Sequence, residues 1–268
     1  MKIQNNKNHR VQIFGTLMLA TLLLASCGAK KDASGEANLE VSDIVNGKIV
    51  TKKNSNASSV VALIAEDNGS QSLCTGTIIS PEIILTAAHC VDEKPEKIHL
   101  LFGTNAQKTN EAKIRIVDKF IQHPNWGRHF PGGEADLALV HFKGSLPVGY
   151  QPVKLADEKL KLNIGQKVLM MGFGVTNGTS RSGSGKLRQT ESTILEEHSL
   201  TEIITDAHKS SVCFGDSGGP AFIKTGNDFI QWGVASSVLN SSCNQASIHT
   251  GLMKYRGWIK TTSEKLEN

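Results

Sequence analysis

Residues 75–88 read TGTIISPEIILTAA: two apolar runs of strand length, TGTIIS (75–80) and IILTAA (83–88), parted by Pro81-Glu82. Short runs rich in Ile and Thr, closed off by proline and polar residues, are the pattern of β-strands joined by turns rather than of helices. The same spacing recurs outward on both sides. VVALIA (60–65) lies upstream; downstream follow KIHLLFG (97–103), KIRIVDKFIQ (113–122), DLALVHF (136–142), KVLMMGFG (167–174), ESTILEE (191–197), PAFIK (220–224) and FIQWGVASSV (229–238). Gly, Pro, Asn or Ser breaks nearly every interval, as hairpins and Greek-key returns require, and no strand–helix alternation is visible. The expected class is therefore all-β. Near the end, Tyr255, Trp258, Ile259 and Leu266 share one face of a short helix. GSLPVGYQPVKLAD (144–157) and SRSGSGKL (180–187) read as long loops.

The 268 residues suffice for one large domain or two small ones, and 25 glycines with 5% aromatics agree with many short strands. The formal charge of +4 is spread along the chain; its densest clusters, Lys30-Lys31 and Lys52-Lys53, have no interleaved aromatics. Nucleic-acid partners are excluded on that ground, since tracking phosphates needs a concentrated basic stripe.

Residues 1–26 read as an export signal, with Lys2, Lys7 and Arg10 ahead of an apolar stretch from Val11 to Ala25 that is too short for a membrane span. Leu24-Ala25-Ser26-Cys27-Gly28 resembles the lipobox of bacterial lipoproteins. That resemblance implies cleavage before Cys27 and a lipid on it, the sole expected membrane attachment; an ordinary secretory signal is the alternative. Both place the protein outside the cytoplasm, and Gly28 in place of Asp points to the outer membrane if the source is Gram-negative. Residues 27–43, small, polar and charged, read as a linker or propeptide ahead of a domain at 44–268.

Three separated segments carry the groups of an acyl-transfer hydrolase: His89 in TAAHC (86–90), Asp136 in ADLALV (135–140) and Ser217 in GDSGGP (215–220). A serine hydroxyl is a poor nucleophile near pH 7 unless an imidazole takes its proton, and the imidazolium needs a buried carboxylate to orient and balance it. Glycines around Ser217 let the backbone turn sharply and aim N–H groups at a developing oxyanion, here assigned to the amides of Gly215 and Ser217. With Cys27 set aside, Cys74, Cys90, Cys213 and Cys243 form an even set suited to an oxidising compartment. Spacing leaves all three pairings open.

From Ile44 to Lys260 the chain resembles the chymotrypsin/trypsin family of serine proteases, in which the three motifs run in this order. The resemblance implies two packed antiparallel six-stranded β-barrels with a C-terminal helix, His89 and Asp136 on the first and Ser217 on the second. It implies hydrolysis of peptide bonds in proteins or peptides through an acyl-enzyme, without cofactor or metal, by a monomer open to proteinaceous inhibitors. The bridges it implies are Cys74–Cys90 and Cys213–Cys243. Ile44-Val45-Asn46-Gly47 resembles the start of mature family members, so a cut after Asp43 would free an ammonium at Ile44 to pair with Asp216. The same cut would part the domain from Cys27. By position the specificity pocket falls at Ser211, Ser236, Val238 and Ser247; serine rather than aspartate at 211 argues against Lys or Arg and for a small or medium apolar side chain.

Competing readings are narrower. Gly215-Asp216-Ser217-Gly218-Gly219 also satisfies GxSxG, yet in an α/β-hydrolase Asp and then His follow the serine, leaving only Asp228 and His249. A catalytically silent protease-fold binding protein is the main alternative. His99, His123, His129, His141, His198, His208 and His249 are assigned to surface or hydrogen-bonded loop positions. The loop 102–113 offers only Glu111 as a carboxylate, so no calcium site is expected.

Overall fold

The computed structural model describes residues 44–51, 55–92, 94–108, 110, 113–127, 135–197, 201–226 and 228–268. The signal, Cys27, the linker to Asp43, Glu111, His129 and His198 lie outside the described residues.

A first group of strands comprises β1 (Lys48–Ile49), β2 (Val60–Asp67), β3 (Ser70–Ile78), β4 (Ile83–Thr86), β5 (Lys97–Leu101), β6 (Ile114–Gln122) and β7 (Ala138–Phe142). β2 and β3 form a hairpin whose two-residue tip, Asn68-Gly69, takes φ of 47° and 78°. Asn-Gly suits such a turn because both positions need positive φ, matching the twist of the strands. The order β2-β3-β4-β7-β6-β5 closes into a barrel when β5 returns to β2, Ala62 opposite Leu101. Leu63, Ile78, Ile83, Leu85, Leu100, Leu139 and Phe142 are wholly buried in its core.

The rest of the sheet structure is β8 (Lys154–Leu155), β9 (Lys167–Gly172), β10 (Arg188–Glu197), β11 (Glu202–Asp206), β12 (Pro220–Thr225), β13 (Asp228–Val238) and β14 (Ala246–Gly251). β9-β10-β11-β14-β13-β12 is a second ring, closed where Ala221 of β12 faces Met170 of β9. β1 extends it along β10, and β8 runs parallel to β13. Both six-stranded barrels of the sequence reading are present. Apolar residues of the two, among them Val60, Ala62 and Leu101 from the first and Leu169, Met171 and Phe222 from the second, pack into one shared cluster.

Helix α1 (Arg256–Glu267) buries Ile259, Thr262 and Leu266 against the first barrel's core. Lys119 Nζ donates to the Leu266 carbonyl at 3.1 Å, and Ser80 Oγ to Glu267 Oε1 at 2.6 Å. The helix thus straps the end of the second barrel's chain back onto the first. No helix among the described residues is long and apolar enough to cross a membrane.

Two expectations needed correction. The two alanines that end IILTAA leave β4 after Thr86 and lead into a 3-10 turn at Ala88–Val91. His141 and His249 are buried in strands β7 and β14 rather than at the surface or in loops, His141 Nδ1 donating to Asp118. His123 is a hydrogen-bonded loop residue as expected, though buried, accepting from Asn125 N at 3.2 Å and meeting Tyr255 and Trp258 edge to face with centroids 4.9 and 4.8 Å away.

Candidate active site

β4 and β7 run antiparallel with Thr86 opposite Ala138. The chain therefore leaves β4 toward His89 at the same end where it enters β7 from Asp136, and the two side chains meet. His89 Nδ1–H donates to Asp136 Oδ2 at 2.7 Å, and the His89 backbone N–H to Oδ1 at 3.0 Å. Asp136 is 1% exposed. Its carboxylate accepts a third bond from Ser236 Oγ at 2.6 Å. Ser236 can reach because β13 bulges there: Ala235 pairs with His249 and Ser237 with the next residue back, Ile248, leaving Ser236 unpaired. An extra residue of that kind re-aims a side chain off the sheet.

Burial lowers the pKa of His89, but the hydrogen bond and charge of Asp136, with Asp92 nearby, outweigh it and the net direction is upward from 6.5. With Nδ1 carrying the donated proton, Nε2 is left as the base. Trp126 flanks the ring, centroids 6.3 Å apart.

Ser217 sits on the loop before β12, and several bonds fix that loop. Ser217 O accepts from Thr75 N at 2.8 Å, Gly218 N donates to Ala235 O at 2.8 Å, and Thr75 Oγ1 to Gly215 O at 2.9 Å. Thr75 belongs to the first barrel, so one residue ties the nucleophile loop of the second barrel to the first. Gly218 (φ 81°) is packed so tightly that a Cβ would strike Thr86 Oγ1 and Thr75 O. At Gly215 φ is 95°, a value open to glycine and costly to other residues. Among the described residues the amides of Gly215 and Ser217 have no acceptor in the chain. His89 and Ser217 face one cavity, with no direct hydrogen bond between them among the described residues; such bonds are often long before substrate binds.

Asp216, wholly buried, is not among the residues that line that cavity. Its carboxylate accepts from Gly174 N at 2.7 Å and Cys213 N at 2.8 Å. Burial pushes its pKa up to about 7, against the lowering effect of those two amides and of Arg188. Ile44 is wholly buried too, at φ 66°, and Val45 O accepts from Ser211 N at 3.2 Å. Cys74 is bridged to Cys90 beside His89, and Cys213 to Cys243 beside the cavity. Cys74, His89 and Cys90 converge, but both sulfurs are spent in the bridge and are not thiolate ligands.

The cavity, about 240 Å³, is lined by Val212, Cys213, Phe214, Ala235, Ser236, Ser237 and Val238 together with His89 and Ser217. Of the pocket positions expected from sequence, Ser236 and Val238 line it. Ser211 and Ser247 lie buried outside the lining, Ser211 Oγ donating to Cys243 O and Ser247 paired in the sheet with Val238. Val212 and Phe214 were missed. Their signal was available: they flank Cys213, whose bridge tethers that stretch at the cavity wall. Arg181 lies over the Phe214 ring, 3.4 Å from its centroid, a cation–π contact that fixes the rim.

The family model described as Trypsin matches residues 44–259. Granzyme M of Homo sapiens is 26% identical over 209 residues, covering 72% of this chain and 80% of the granzyme. Kallikrein-8 of Rattus norvegicus is 28% identical over 220 residues, 74% of this chain and 79% of its own. A chymotrypsin of Phaedon cochleariae is 25% identical over 240 residues, 83% of each chain.

Proposed function

The chain belongs to the trypsin family and is a serine endopeptidase acting on peptides or proteins; from that premise we propose how its own residues carry out the reaction. His89 Nε2 takes the Ser217 hydroxyl proton as Oγ bonds to the scissile carbonyl carbon. The same nitrogen returns that proton to the departing amine as the C–N bond breaks, leaving an acyl-enzyme. Water then repeats the sequence, its proton passing to His89 and back to Ser217 Oγ. Asp136 keeps the imidazole in the tautomer with its proton on Nδ1 and balances the imidazolium. The amides of Gly215 and Ser217 receive the oxyanion, each donor worth about 3 kcal/mol of barrier. The observation that carries the proposal is the 2.7 Å His89–Asp136 bond facing Ser217 across one cavity, with two acceptor-free amides at the serine.

Selectivity belongs to Val212, Phe214 and Val238, which favour a small or medium apolar side chain before the scissile bond. Among the described residues no carboxylate lines that cavity, so a Lys or Arg there would be buried without a counter-charge. The protein is proposed to be exported by residues 1–26, held by a lipid on Cys27, and matured by cleavage before Ile44. The ammonium so freed would pair with Asp216 and favour its ionised form, which burial disfavours. A monomer that proteinaceous inhibitors can block completes the proposal.

The test uses the full chain with residues 39–43 replaced by the recognition site of a site-specific endopeptidase that exposes Ile44. Fluorophosphonate labelling at Ser217 after the cut, with none in Ser217→Ala, is the expected result. A folded, correctly cut protein that resists labelling would establish the silent binding protein instead.

A further inference from the structure

His89 borders a second, larger cavity. It measures about 540 Å³ and lies between the β2–β3 hairpin and the turn that follows His89, with Asp67, Gln71 and Ser72 on one side and Cys90 and Asp92 on the other. Whatever leaves the acyl carbon must take its proton from His89, and the cavity on the Ser217 side is occupied by the acyl part. The departing chain therefore enters the second cavity. A third recess, which shares Gln71 and Ser72 and adds Ile64 and Leu73, continues the path.

The charge of this groove is one-sided. Asp67 Oδ1 accepts from Asn68 Nδ2 and Asp92 Oδ1 from Gln122 Nε2, both at 3.1 Å, which leaves the second oxygen of each carboxylate open. Among the described residues neither aspartate is in an ion pair and no Lys or Arg lines the groove; Lys94, two residues beyond Asp92, stands outside it. The acyl-side cavity has no carboxylate in its lining among the described residues. The two sides of the scissile bond thus meet opposite chemistry.

We propose that the groove formed by Asp67 and Asp92 selects substrates with a lysine or arginine immediately after the cleaved bond. The enzyme would cut between a small apolar residue and a cationic one. This rests on the peptidase reading above, and it concerns the leaving side alone.

The acyl-enzyme can be interrogated from that side, because an added amine must bind where the leaving group bound. The full chain, cut before Ile44, is given a short peptide methyl ester ending in alanine together with argininamide, norleucinamide or the α-amide of glutamate. Transfer of the acyl group to each is compared with its hydrolysis. Argininamide should capture the acyl group about fivefold better than norleucinamide at low salt, the size of one exposed ion pair, and the glutamate amide least. In Asp67→Asn/Asp92→Asn the ratio should fall to near one, as it should in 1 M salt. The ratio is internal to each variant, so slower acylation does not disturb it. Equal capture of the three amides by the unaltered enzyme overturns the groove assignment alone. A preference that survives in the double variant overturns the role of these two aspartates. Failure to turn over the ester or to label at Ser217 overturns the peptidase reading, and the groove with it.

Discussion

The two barrels share a strand count and little else inside. The first is filled by Leu63, Ile78, Ile83, Leu85, Leu100, Leu139 and Phe142. In the second, Gln231 Oε1, Trp232 Nε1, Ser247 Oγ, His249 Nδ1 and Thr250 Oγ1 are buried without a partner, where the first contributes only Thr77 Oγ1 among the described residues. The difference follows their tasks. The first barrel holds His89 and Asp136 at the ends of two paired strands, so a rigid apolar body is enough. The second carries its share of the site on a loop, a bulge and a disulfide, and its strands β13 and β14 back the cavity with small and polar residues. A close-packed apolar core resists deformation, whereas buried polar groups without partners each weaken the fold.

Each barrel can be challenged on its own terms. The largest effect should come from the catalytic groups: Ser217→Ala, from the second barrel, and Asp136→Asn, from the first, should each lower kcat on the order of 10⁴-fold or more with folding retained, as circular dichroism would show. Since Asp136 outweighs burial at His89, the acid limb of the kcat/KM profile should have its midpoint above 6.5.

Stability should then separate the barrels by pH. His249, buried and neutral, has its pKa driven down from 6.5 to about 3 by desolvation. Above pH 6.5 its stability is present in full; as pH falls from 6.5 toward 3 the unfolded chain gains a proton that the folded chain refuses. At about 1.4 kcal/mol per pH unit the loss approaches roughly 5 kcal/mol. Denaturant unfolding of the Ser217→Ala protein with and without His249→Gln should give a stability difference that changes by this amount across that window, since Asp216, whose pKa burial raises, and His123, whose pKa burial lowers, titrate alike in both.

Packing makes a smaller contrast. Leu85→Ala in the first barrel should cost about 2–5 kcal/mol by the same measurement. The least effect is expected from Thr250→Val in the second, which removes an unpartnered hydroxyl: about 1 kcal/mol at most, toward greater stability. A loss at Thr250 as large as that at Leu85 would erase the distinction between the two interiors.

What the sequence disclosed follows the same division. All five apolar runs and the DLALVHF segment of the first barrel are strands, since an apolar core leaves a visible run. In the second barrel, β11 (EIITD) and β14 (ASIHTG) gave no such signal: Thr205, Ser247, His249 and Thr250 are buried there, so burial no longer coincides with hydrophobicity. The motifs around His89, Asp136 and Ser217 were legible because they are contiguous. The cavity was only half legible. Its wall depends on which residues of the 211–214 stretch turn inward, and the link from Ser236 to Asp136 depends on a bulge, a property of register that no single segment contains.

Ile44 was found docked with φ at 66°, a sign of torsion that a β-branched side chain tolerates badly. A torsion angle needs four atoms, and for φ at Ile44 the first of them is the carbonyl carbon of Asp43. Hydrolysis of the bond between them does not relax that angle; it abolishes it. A cut one residue earlier or later leaves residue 44 acylated, or absent, and the constraint is not resolved in place. The cleavage proposed before Ile44 would therefore remove that angle while keeping the buried isoleucine in the chain.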